Sequence, residues 1–215
     1  MVIKLQSLVP RPLRDRLLAR ESDLWNKDVA LHQGEFIKIK APSGTGKTTL
    51  VHILYRLRHD YDGVVMIDDE PVTQLGENAL AAVRQQQLSI VFQDLRLFPH
   101  LTGRENIELK RILQSPYCNA EAIDEMAQRL GVTHVLNQQA ALCSYGEQQR
   151  LAIIRALVQT FSWLIMDEPF SHLDQANTRL AAELIAEECK KRSAGLLVTD
   201  LDDDDNFNYS KRFQL

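Results

Sequence analysis

Residues Ala41 to Thr49 (APSGTGKTT) gather two glycines, a lysine and four hydroxyl side chains in one short stretch. Turns at Gly44 and Gly46 would aim backbone N–H groups inward, and the positive end of a following helix would add to them, which makes a cradle for phosphate. Lys47 would supply a mobile cation for terminal phosphates and the Thr48 hydroxyl a ligand for Mg²⁺. Ser43, Thr45 and Thr49 complete the candidate phosphate set. The strict form of this loop has glycine where the chain has Ala41. Pro42 already forces residue 41 toward extended geometry, so alanine there needs no positive φ. Far downstream, Trp163 to Glu168 (WLIMDE) is an apolar run that ends in two carboxylates. Neighbours at a strand end point in different directions. Asp167 is therefore expected at Mg²⁺ or its waters, and Glu168 as the general base that polarises water. Together these residues describe a site for a nucleoside triphosphate.

Such groups need rigid supports. Glu35 to Lys40 (EFIKIK) alternates isoleucine with lysine and reads as a strand. Leu50, Ile53, Leu54 and Leu57 share one helical face, so a helix is expected from about Lys47 to His59. Val64–Ile67, Leu88–Phe92, Trp163–Met166 and Gly195–Thr199 are further strand candidates. Strands alternating with helices predict an α/β fold with a mostly parallel sheet. From about Leu95 to Val158 the pattern turns helical, with one stripe through Ala122, Ile123, Met126, Ala127 and Leu130. A second stripe runs through Leu151, Ile154, Leu157 and Val158. This block reads as an insertion into a sheet built from both ends of the chain.

The remaining composition excludes several classes. The chain has 215 residues, 25 basic and 29 acidic, and a net charge of −4, which gives no global field for nucleic acid. Arg11, Arg14, Arg16 and Arg20 form one basic stretch, read as a solvated face. Nothing approaches the roughly 20 apolar residues of a membrane span, and the N-terminus lacks the apolar core of a secretion signal. A cytoplasmic location is expected. Cys118, Cys143 and Cys189 lack metal-ligand spacing and are expected to be reduced packing residues. Asp202 to Asp205 reads as a solvated acidic loop.

Cys143 to Arg150 (CSYGEQQR) resembles the LSGGQ-type signature of the ATP-binding cassette (ABC) family, and it precedes a helix and the WLIMDE strand as that family requires. Gln93 in VFQD resembles the family's Q-loop, and Phe170 to Asp174 (FSHLD) its D-loop. The resemblance covers essentially the whole chain. The stretch FQDLRLFPHLTGRENI is most similar to the bacterial branch of lipoprotein-releasing, macrolide-type and cell-division ATPases.

The resemblance implies a P-loop NTPase with a RecA-like core, about 1–93 and 159–215, a helical signature subdomain, about 94–158, and a small N-terminal β element. All of these would form a single ABC ATPase domain, 1–215. It implies an Mg²⁺-dependent ATPase that closes head to tail around two ATP, as a homodimer or with a related subunit. Ser144 and Gly146 would meet the γ-phosphate held by the partner, Gln93 would sense Mg²⁺ and the attacking water, and Asp174 would lie at the seam. A separate transmembrane permease subunit would dock near Asp94–Leu101 on the inner face of the membrane, with Phe98 and Leu101 as anchor candidates or, alternatively, ordinary core of the helical lobe. No nucleic-acid partner is expected. Alternative readings are a dimerising regulatory module with weak hydrolysis and a soluble, non-transport cassette ATPase.

Three positions depart from the family's pattern. Cys143 replaces leucine, and Tyr145 replaces the first signature glycine, where its ring would crowd the partner's phosphates unless it points away. Asp200 stands where the family has a histidine that contacts the γ-phosphate; a carboxylate can only accept hydrogen bonds and would repel phosphate. His172, in the D-loop segment, is a candidate substitute for that histidine, with a surface or seam-packing histidine as the preferred reading. For adenine, Trp25, Arg14 and Arg16 are the candidate stacking groups.

Overall fold

The computed structural model describes residues 1–113 and 116–215, so positions 114 and 115 of the expected helical insert lie outside the described residues. The first half runs β1 (Val2–Pro10), α1 (Arg14–Leu18), β2 (Val29–His32), β3 (Phe36–Lys40), α2 (Lys47–Leu54), β4 (Tyr61–Ile67), β5 (Glu70–Pro71), α3 (Glu77–Gln86) and β6 (Leu88–Val91). It continues with α4 (Gly103–Ile112), α5 (Glu121–Arg129), α6 (Tyr145–Leu157), β7 (Trp163–Asp167), α7 (Gln175–Lys191), β8 (Gly195–Asp200) and β9 (Lys211–Gln214).

Two sheets result. The five-stranded one has the order β6-β7-β8-β3-β9, and all its pairings are parallel. Strands buried on both faces read as continuous apolar runs, which is why LLV and WLIM were legible. The four-stranded sheet, β2-β1-β4-β5, is antiparallel. Val64–Ile67 belongs to this second sheet, where it pairs with β1, rather than to the parallel core.

Side-chain alternation sorts the core into two layers. Ile37, Ile39, Ile165 and Leu197 face α2 and the antiparallel sheet. Leu164, Met166, Leu196 and Val198 face α6 and α7. The stripes Ile123, Met126, Ala127, Leu130 and Leu151, Ile154, Leu157, Val158 are buried with this second layer.

The helix after the phosphate loop is shorter than its apolar spacing predicts. It stops at Leu54 because Arg56 adopts φ +59, and Leu57 N–H returns to the His52 carbonyl at 2.7 Å while Arg56 N–H donates to Ile53. That is a left-handed helix stop of the Schellman type. Leu57 is consequently 40% exposed. Arg84 caps the freed carbonyls of Tyr55 and Arg56 at 3.0 and 2.8 Å.

β3 also departs from its pattern. Its lysine face is not uniformly solvated: Lys38 is fully buried, between Asp200 and Asp204, while the Lys40 side chain stays 40% exposed. The three cysteines are free, and burial pushes the Cys189 thiol up to about 12.

Candidate functional site

The loop between β3 and α2 has its two glycines in left-handed conformations, φ +76 at Gly44 and +100 at Gly46, the latter being the residue before α2. Ala41 is not among the residues with positive φ, in keeping with its position before proline. Thr45 turns inward. Its hydroxyl donates to the Pro42 carbonyl at 2.7 Å, and its own carbonyl accepts from the indole N–H of Trp25 at 3.2 Å. Trp25 is only 3% exposed, so it buttresses the loop from behind and presents no face on which a base could stack. The Lys47 ammonium folds back under the loop, donating to Ala41 O at 2.7 Å and lying 3.3 Å from Glu168 Oε1.

Glu168 follows the last residue of β7 in a left-handed conformation, φ +48, which costs a non-glycine residue on the order of 1–3 kcal/mol. Its backbone is held from two sides: its N–H donates to Thr199 O at 2.9 Å, and its carbonyl accepts from Gln149 Nε2 at 3.4 Å. The turn separates the two carboxylates. Asp167, 1% exposed, accepts from the Thr199 hydroxyl at 2.5 Å, while Glu168 swings toward the loop. Gln93 then joins the parts. Its Nε2 donates to Glu168 Oε2 at 3.0 Å, and its Oε1 accepts from the Thr48 hydroxyl at 3.3 Å. Thr48, Gln93, Glu168 and Lys47 thus form a continuous polar chain along one pocket of about 320 Å³, which Ser43, Gly44, Gly46 and Thr49 also line. Thr45 and Asp167 stand behind this wall.

The donor set suits a hard divalent cation. Thr48 Oγ1, Gln93 Oε1 and the Asp167 carboxylate are all oxygen ligands, as Mg²⁺ prefers. No cluster of three or more acidic, histidine or cysteine side chains able to hold a metal occurs among the described residues. An ion bound chiefly through substrate phosphates and one or two carboxylates needs none.

Ser144 and Gly146 do not line this pocket. Ser144 caps α6 in a reciprocal arrangement with Glu147: its N–H donates to Glu147 Oε2 at 2.7 Å, and its hydroxyl accepts from the Glu147 N–H at 3.4 Å. The Ser144 N–H holds the Glu147 carboxyl below the usual glutamate range. A side chain at Gly146 would meet the His172 carbonyl at 3.1 Å, so glycine there lets α6 approach the segment before α7. The Tyr145 ring lies against His172, centroids 4.2 Å apart, and its hydroxyl donates to the Gln93 carbonyl at 3.0 Å. The signature turn therefore touches the Gln93 segment within one chain. Asp174 caps α7, accepting from Asn177 N–H at 2.8 Å.

The acidic run is a loop with Asp202, Asp203 and Asp205 exposed, and three of its carboxylates are paired. Asp203 pairs with Lys40 at 3.0 Å and Arg212 at 3.2 Å, Asp204 with Lys38 and the Tyr209 hydroxyl, and Asp205 with Arg212 at 2.8 Å. Asp200 joins the same network through Lys38 at 3.3 Å and does not line the phosphate-loop pocket. Of the two candidate arginines, Arg14 is spent on Asp62 at 2.8 Å, whereas Arg16 lines the pocket mouth. Gln149 and Thr199, which orient Glu168 and Asp167, do not stand out in the sequence. The one signal for Gln149 is a polar residue among the buried positions of α6.

A separate exposed patch flanks the Gln93 segment. Asn106 ties down residues 98 to 102 by accepting from Phe98 N–H at 2.7 Å and donating to Phe98 and Thr102 carbonyls at 3.0 Å. Phe98 stays 58% exposed, so it is not core of the helical region, and Leu142 beside it is 69% exposed. The two are neighbours because Ala141 N–H donates to Pro99 O at 3.0 Å. Among the described residues, no helix is long and apolar enough to cross a membrane.

Comparison with known proteins yields consistent matches. A family profile described as ABC transporter matches residues 24–171. The chain is 34% identical over 183 residues to a lipoprotein-releasing system ATP-binding protein from Gluconobacter oxydans, covering 84% of this chain and 79% of that protein. It is also 34% identical over 173 residues to an uncharacterized ABC transporter ATP-binding protein from Bacillus subtilis, covering 80% and 67%. Among solved structures, the fold is similar to a dimeric bacterial ABC transporter cassette, with TM-score 0.78 and 26% identity, covering 93% of this chain and 88% of that one. It is also similar to a dimeric post-hydrolysis cassette bound to ADP and Pi, with TM-score 0.76 and 26% identity.

Proposed function

From the premise that this chain belongs to the ABC transporter family and is one of its ATP-binding, ATP-hydrolysing subunits, we propose how its own residues divide the work. Ser43 to Thr49 hold the polyphosphate through loop N–H groups, hydroxyls and the Lys47 ammonium. Thr48, Gln93 and Asp167 hold Mg²⁺, which offsets negative charge on the phosphate oxygens. Glu168 is the base. Water oxygen bonds to the γ-phosphorus, the bond to the ADP oxygen breaks, and the water proton passes to the Glu168 carboxylate. Lys47 and Glu168 neutralise each other at 3.3 Å in this structure. Phosphate drawing the ammonium away would leave the carboxylate free to accept that proton.

Each site is completed by a second copy, or by a related subunit, whose Ser144 and Gly146 close on the γ-phosphate. Their position outside the phosphate-loop pocket of their own chain supports this reading. The chain divides into a nucleotide core, about 1–93 and 159–215, and a helical lobe, about 94–158, meeting at Gln93. A transmembrane permease subunit docks near Asp94–Leu101, placing the protein peripherally on the inner face of the membrane. The exposed Phe98 and Leu142 support that placement.

The observation that carries the assignment is the polar chain Thr48–Gln93–Glu168–Lys47 along the phosphate loop. Glu168→Gln should keep ATP affinity, lose nearly all hydrolysis and accumulate as an ATP-bound dimer, read by phosphate release and light scattering. Wild-type hydrolysis by a variant that stays monomeric with ATP would overturn it.

A further inference from the structure

α1 sits beside the phosphate loop, anchored by Leu17, which is 3% exposed, and by the half-buried Leu13. Its basic residues are not equivalent. Arg11 and Arg14 both pair with Asp62, at 2.9 and 2.8 Å. Arg16 makes no ion pair or hydrogen bond with any described residue, and its guanidinium lies over Gly44 of the loop. A methyl group on residue 44 would lie 3.3 Å from Nη2 and 3.4 Å from Nη1, so the guanidinium sits in close contact with the loop. Arg16 shares the pocket mouth with Lys47, Thr48 and Gln93. The pocket's one acidic lining residue, Glu168, is already paired with Lys47.

A second, solvent-exposed cation at the mouth of a cradle of N–H donors, with no carboxylate of its own, is available to an anion that the loop binds. Guanidinium fits phosphate with parallel N–H groups, as a point-charge ammonium does not. We propose that Arg16 is a phosphate ligand for the bound nucleoside triphosphate, supplied by α1 from outside the phosphate loop. The proposal rests on the nucleotide-site reading above. It differs from stacking on the base because both Nη atoms lie against Gly44 of the phosphate loop, where N–H donors are gathered for phosphate.

The test compares wild type, Arg16→Ala, Arg16→Lys and Lys47→Ala at fixed ionic strength with Mg²⁺. ATP and inorganic tripolyphosphate each displace a fluorescent ATP analogue, so weak binding is still read. Arg16→Ala should weaken ATP and tripolyphosphate by a similar factor, about ten- to a hundredfold for lost charge-assisted hydrogen bonds. Arg16→Lys should recover part of the loss. Unchanged ATP affinity in Arg16→Ala overturns the proposal, and so does weakened ATP with tripolyphosphate untouched, which would mean base stacking. If Arg16→Ala is silent while Lys47→Ala fails to bind, only the Arg16 assignment falls. If Lys47→Ala binds as wild type does, the nucleotide site itself is misplaced.

Discussion

Lys38 shows how one buried charge redirects its surroundings. An ammonium with no solvent exposure must be paired, and its partners come from the end of β8 and the loop beyond it, Asp200 at 3.3 Å and Asp204. Burial and the neighbouring Asp204 push the Tyr209 phenol above its usual range, so its hydroxyl stays protonated and donates to that carboxylate at 2.9 Å. Asp200 is therefore committed to the sheet, and its second oxygen accepts from Leu201 N–H at 2.8 Å. Asp200→His should leave steady-state ATPase activity within about a factor of two, because no repulsion against phosphate is removed. Its stability in urea should fall by about 1–3 kcal/mol, since Lys38 loses one of its two carboxylates. Turnover rising tenfold or more would show that Asp200 faces the nucleotide after all.

Adjacent strands set the carboxylates through their register. Trp163 opens β7 directly opposite Gly195 of β8, and the same pairing places Asp167 opposite Thr199, whose hydroxyl and carbonyl hold Asp167 and Glu168. The Trp163 ring fills the space a side chain at 195 would need, lying 2.7 Å from where its first carbon would sit. Gly195→Ala should consequently destabilise the protein by about 1–3 kcal/mol, the usual cost of overpacking a closed core, measured by urea unfolding. A stability equal to wild type would mean that the ring can move aside. At the other end of the site, two consecutive left-handed residues, Leu95 and Arg96, turn the chain away from Gln93. Arg155 holds that turn by donating to the Arg96 carbonyl at 2.6 Å and to Leu95. Burial pushes the Arg155 guanidinium down to about 10, which still leaves it charged at neutral pH.

Across the molecule, one short connection, the Gln93 segment, runs from the nucleotide pocket to the residues before Phe98. Gln93 touches Thr48 and Glu168 with its side chain and Tyr145 with its carbonyl, while residues 98 to 102 lie a few residues on. A shift of Gln93 on binding nucleotide would thus be felt at both the signature turn and the patch. Phe98→Asp combined with Leu142→Asp should preserve ATP-dependent dimerisation and basal hydrolysis. It should abolish copurification with a membrane subunit from detergent extracts of cells that express the chain. Undiminished copurification would place the docking face elsewhere.

The phosphate loop and the Asp167–Glu168 pair were legible in the sequence because their chemistry is local. Gly44 and Gly46 supply the turns, Lys47 opens the helix, and an apolar strand ends in its carboxylates, all within a few residues. The buried parallel strands were legible for the same reason, as unbroken apolar runs. β1 was not, since its alternation is broken by a bulge between Gln6 and Val9, and β9 is only four residues long. What only the tertiary structure decided are contacts between residues distant in the chain: Gln93 with Glu168 across 75 positions, and Lys38 with Asp200 across 162. A lysine alternating with isoleucine has the same local pattern whether water or a carboxylate receives its ammonium. The order of β8, β3 and β9 in the sheet, which no local propensity encodes, made that choice for Lys38 and thereby for Asp200.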